Sequence, residues 1–212
     1  MKTQQPPIPA PGWPVRLACL SLALAPFSTA LAVDGTITIN GEIIDSTCKI
    51  NGKNAPVDFI VNLPKISTSA LPKKGDVAGA TLFVLTLTEC PASLSGEVKA
   101  HFEPGVTTDY ATGNLYAYKE TTVKTTAESS IPNDRATAMK AENVEIQLAN
   151  TDGSAINIGA PDSKAKGATL QNGSDSKKTA TLRYLAQYIK SGESAITPGK
   201  LVTYVQYSIV YP

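Results

Sequence analysis

The chain has a single histidine, and that scarcity narrows its chemistry at once. His101 lies in the alternating run VKAHFEP, where a strand residue facing solvent or a hydrogen-bond partner is the plain reading. No GxSxG elbow, HExxH pair, phosphate-binding Walker loop or GxGxxG turn occurs. Acidic residues stand singly in turns, so no carboxylate pair suited to acid-base hydrolysis can be read from them. Two cysteines and one histidine in the exported portion described below are too few for a zinc site, and nothing calls for a cofactor. The expectation is a protein without catalytic activity, metal or cofactor.

Charge is also scarce in excess. Nineteen basic residues face eighteen acidic ones, which gives no basic field for nucleic acid. No apolar run approaches the roughly 20 residues of a membrane-spanning helix. The first 32 residues nevertheless have a leader's layout: Lys2 and Arg16, a short apolar stretch from Leu17, and Ala30-Leu31-Ala32 as a small-x-small cleavage site. Residues 1–32 are therefore expected to be a signal peptide, with the exported protein beginning near Val33. Its removal leaves 17 basic against 18 acidic residues and takes away the only tryptophan, Trp13. It also removes Cys19, leaving Cys48 and Cys90 as an even pair in an exported chain, which reads as one disulfide.

What is present is β pattern. Short alternating or apolar runs recur every ten to fifteen residues between Gly, Pro, Asn and Asp punctuation. Strands are expected over residues 36–44, 57–62, 81–88, 98–102, 114–119, 144–148, 155–158, 179–189 and 201–211, in one domain built as a sandwich. The polar, Ala/Thr-rich stretch 121–139 and the similar 162–178 read as exposed loops. Five of the eight tyrosines lie between Tyr184 and Tyr211, where alternation along strands suits a core edge or a protein interface better than a sugar-stacking surface.

The two ends of the exported portion are unusual. GKLVTYVQYSIVYP runs as a period-two strand to the terminus, with Val205, Tyr207, Ile209 and Tyr211 on one face. DGTITINGEII alternates in the same way at the other end. Chain ends normally fray, so ends this apolar suit a sheet completed by another molecule.

These ends resemble those of pilins assembled by the chaperone-usher route. The matching positions are Gly41, Ile43, Ile44 and Cys48 after an alternating segment, LTLTECP around the second half-cystine, Gly199 fourteen residues from the end, and a penultimate Tyr211. HFEPGVTTDYATGNLYAY is similar to the major, serotype-determining subunits of the type 1-like group. The resemblance covers residues 33–212 and implies an all-β, immunoglobulin-like sandwich that lacks its last strand and is completed by donor-strand exchange. It implies a donor extension over 33–44, with Val33, Gly35, Ile37 and Ile39 on the donor face, and a pilin domain over 45–212. It also implies an acceptor groove and chaperone-binding strand made by Gly199, Val205, Tyr207, Ile209, Tyr211 and Pro212.

The implied partners are a periplasmic chaperone, an outer-membrane usher, neighbouring copies and other fimbrial subunits, with no membrane span. The implied function is a shaft subunit of an adhesive fimbrium on the bacterial surface, exported through the periplasm. The alternative is a minor or tip adhesin that binds host carbohydrate.

Overall fold

The apolar runs condense into two antiparallel sheets that share one core. In the computed structural model the described residues are 37–44, 48–128 and 137–212. The signal-peptide expectation and the donor positions Val33 and Gly35 lie outside them. The chain divides after Glu42 into two compact units, and Ile43–Pro212 forms the sandwich.

The strands are β1 (Lys49–Ile50), β2 (Val77–Cys90), β3 (Glu97–Glu103), β4 (Thr108–Asp109), β5 (Asn114–Glu120), β6 (Lys140–Asn150), β7 (Ala155–Ile156), β8 (Ala168–Thr169), β9 (Gln171–Asn172), β10 (Lys178–Lys190), β11 (Lys200–Val202) and β12 (Gln206–Val210). The larger sheet runs β1-β2-β10-β6-β5-β11, with β4, β7 and β9 added at its margins. The smaller sheet runs β12-β3-β8. Among the described residues there is one 3-10 turn, Thr68–Ala70, and no helix long and apolar enough to cross a membrane.

Period two places Phe83, Leu85 and Leu87 of β2 and Leu182 and Tyr184 of β10 inward, with Leu182 opposite Leu85 and Tyr184 opposite Phe83. Val98, Ala100 and Phe102 of β3 meet them from the other sheet. Tyr184 is completely buried at the centre, its ring 5.2 Å from Phe102 and 5.8 Å from Phe83. Its hydroxyl accepts from the Ala100 amide and donates to the Lys166 carbonyl, so the buried polar tip is fully used. The Cys48–Cys90 disulfide ties the start of the sandwich to the end of β2, beside the two-residue pairing of β1 with β2.

Four sequence expectations need correction. Residues 37–44 form no strand, and residues 57–62 join no ladder. The final segment, expected as one strand over 201–211, is two: β11 pairs with β5 in the larger sheet and β12 with β3 in the smaller one. Residues 203–205 carry the chain from one sheet to the other. The polar stretch 162–178, expected as a loop, also supplies the short strands β8 and β9. His101 sits half-exposed on β3, its Nε2 3.6 Å from Glu103, in keeping with the plain strand reading.

Candidate functional site

An open groove of about 1240 Å³ runs along the sandwich. Its floor is the core itself: Phe83, Phe102, Leu115, Ile146, Leu148 and Ala186 line it. Its two walls are the stretch from Pro56 to Thr68 and the stretch from Ile196 to Tyr207. The volume exceeds the roughly 300–1,000 Å³ of a small-molecule pocket, and the lining follows two long stretches of chain rather than closing around a point. An extended peptide fits those dimensions better than a metabolite.

The first wall follows from VDFIVNL. Val57, Phe59, Val61 and Leu63 alternate inward and pack on the core, whereas Asp58 and Asn62 face out. Yet among the described residues no backbone N–H or C=O from 57 to 66 pairs with another backbone group. Phe59 stacks 6.0 Å from Phe83 and 5.9 Å from Tyr207. The opposite wall offers the other edge of β11 and the turn into β12. There Thr203 Oγ1 is the one buried side-chain polar atom without a partner among the described residues, a state that ordinarily costs stability. Two unpaired edges thus face each other across an apolar floor, a surface that gains stability when filled.

Two tyrosines join the first wall to the body. The Tyr207 hydroxyl donates to the Val57 carbonyl at 2.7 Å, and the Tyr188 hydroxyl donates to the Pro64 carbonyl at 3.3 Å. Burial pushes the Tyr188 hydroxyl's pKa up, and burial followed by the charge of Asp58 does the same for Tyr207, so both stay protonated donors.

Of the terminal residues singled out in the sequence, Gly199, Val205 and Tyr207 line the groove. Ile209 and Tyr211 share their inward face but pack against the core, and the Tyr211 hydroxyl accepts from the Cys48 amide at 3.1 Å. Pro212 ends beside Gly96. Ile37 and Ile39 are each 89% exposed, which is unusual for isoleucine.

The sequence reading missed two contributions. Tyr188 carries no signal beyond strand alternation. Val123, Lys124, Thr126, Ala127 and Glu128, from the polar stretch expected as a surface loop, also line the groove, with Lys124 3.4 Å from Glu128 and 4.0 Å from Glu120. The alternation over 57–62 was the available signal for the first wall.

The family described as FimA: Type-1 fimbrial protein, A, matches residues 63–212. The chain is 42% identical over 200 residues to the serotype 2 fimbrial subunit of Bordetella pertussis, covering 92% of this chain and 95% of that protein. It is 37% identical over 196 residues to the major fimbrial subunit SMF-1 of Stenotrophomonas maltophilia, covering 90% and 99%. In fold it is similar to a subunit in a chaperone-usher pilus structure described as revealing the molecular basis of rod uncoiling, with a TM-score of 0.52, 19% identity, and coverage of 85% and 96%.

Proposed function

Because this chain belongs to the type 1 fimbrial protein family, we propose that the groove between residues 56–68 and 196–207 accepts the 33–44 segment of a neighbouring copy, and that this exchange links subunits into a shaft. The chain is a structural fimbrial subunit of a surface fimbrium that passes through the periplasm on the chaperone-usher route. The observation that carries the assignment of residues is the first wall. A strand-patterned segment with its side chains correctly alternating and no backbone ladder calls for a partner, and an alternating strand is the partner that supplies both ladders.

The donor face would be Val33, Gly35, Ile37 and Ile39. The exposure of Ile37 and Ile39 supports this, as does the division of the chain after Glu42, which leaves both residues outside the unit that forms the sandwich. Burying Val33, Ile37 and Ile39 would contribute on the order of 5–9 kcal/mol before ordering costs. Gly199, Val205 and Tyr207 would form the accepting edge, and Ile209, Tyr211 and Pro212 its continuation toward the chaperone. No observation favours the tip-adhesin alternative.

The test is Ile37→Asp combined with Ile39→Asp. The double variant is expected to accumulate as a normal chaperone complex and to form no filaments, because neither side chain belongs to its own sandwich. Intact filaments, or loss of the chaperone-bound subunit itself, would refute the donor assignment.

A further inference from the structure

The first wall presents a physical problem. Phe59, Val61 and Leu63 pack on the core, but no ladder fixes the position of their backbone across the groove, so hydrophobic attraction favours drift of this wall toward the opposite one. The wall is instead tied at its two ends. Tyr207 reaches Val57 and Tyr188 reaches Pro64, and these attachments bracket the three inward side chains.

The two ties come from different sheets. Tyr207 belongs to β12 and stands opposite Phe102 of β3 in the smaller sheet. Tyr188 belongs to β10 in the larger sheet, just past a register shift between Ala186 and Tyr188. The Tyr188 ring lies over Gly79 of β2, where φ is +69° and a Cβ would stand 3.0 Å from the ring and 3.3 Å from Pro64. Glycine suits that position both for its backbone angle and for the room it leaves. The bulge and the glycine together let the ring lie across β2 and reach the wall.

Resting on the strand-accepting reading of the groove, we propose that Tyr188 and Tyr207 are positioning residues, whose hydroxyls clasp the wall at 57 and 64 and hold the groove at strand width before a donor enters. Once a donor strand is in place its ladders hold the wall, and the clasps become redundant. They act on the rate of filling and not on the stability of the filled subunit. Phenylalanine at either position keeps the ring packing and deletes only the clasp.

The experiment uses the subunit purified with its chaperone and a synthetic peptide of residues 33–44. It measures the rate of peptide uptake and the thermal midpoint of the peptide-filled product for the parent, Tyr188→Phe, Tyr207→Phe and the double variant. The double variant is expected to fill about tenfold more slowly, the scale set by two ordinary hydrogen bonds. Its filled product should melt within about two degrees of the parent. Parent-like uptake by the double variant would overturn the clasp while leaving the groove assignment standing. A filled midpoint that falls in step with the rate would mark the hydroxyls as general stabilisers and also overturn it. A parent that takes up no peptide would remove the groove reading and the clasp together.

Discussion

Glu145 of β6 is 6% exposed on the sheet face turned away from the core, and its Oε2 accepts from the Thr112 hydroxyl at 3.0 Å and the Asn114 amide at 2.9 Å. Burial raises its pKa above the ordinary 4.5, and nearby Asp109 adds to the rise. For Asp109 burial pulls upward, but hydrogen bonds from the Ala111 backbone and then from Glu145 and the Tyr116 and Thr112 side chains hold its carboxyl below the usual range. The nearby cation, Lys140 Nζ, lies 3.2 Å over the Tyr116 ring, the neighbour of this pair. A carboxyl whose folded pKa is raised contributes stability below its unfolded value, and that contribution is lost as pH rises through the folded value. Glu145→Gln keeps an acceptor and cannot ionise. The filled subunit carrying it should match the parent below pH 4.5 and exceed the parent's thermal midpoint by a few degrees at pH 8. Thermal scans across that range check the sign, and a parent that gains on the variant with rising pH would contradict it.

The final segment separates two kinds of defect. Val205 lines the groove, whereas Ile209 stands opposite Ala100 and packs on the core beyond it. Val205→Ala should weaken donor uptake with little change in the fold. Ile209→Ala should cost stability whether or not the groove is filled, on the order of 1–3 kcal/mol for a partly buried isoleucine. Peptide affinity and denaturant midpoints on the two variants distinguish the positions, and equal loss of affinity with equal loss of stability would show that the segment acts as one unit. This split could not be read from the sequence, because alternation runs unbroken from Val205 to Tyr211 while the sheet to which the chain belongs changes at residues 203–205. The inward face was legible there, as it was for Val57, Phe59 and Val61. For those residues the side-chain period is correct and the ladder is absent, because period two reports burial and not hydrogen-bond partners. Likewise the bulge that aims Tyr188 at the wall arises from register with β2, a long-range property that no local pattern records.

At the scale of the molecule, an empty groove is exposed core. Filling it should stabilise the sandwich by mass action, by roughly 2.7 kcal/mol when the 33–44 peptide stands at one hundred times its dissociation constant. The thermal midpoint should therefore climb with peptide concentration, and a midpoint indifferent to peptide would contradict strand acceptance. The disulfide adds a second, independent restraint. Its 42-residue separation is worth about 4 kcal/mol in the chain-entropy description, and it holds the start of the sandwich to β2 whether the groove is full or empty.

The facing unpaired walls also decide how a chain of such subunits would bear tension. In the proposed exchange, a donor lying lengthwise between residues 57–66 and the last strands would be loaded along its own axis when the filament is pulled. Its two rows of hydrogen bonds then resist together in shear and cannot be peeled one at a time from an end. Mechanical strength in this arrangement scales with the length of the slot, so a donor lying along it holds far better than one crossing it would.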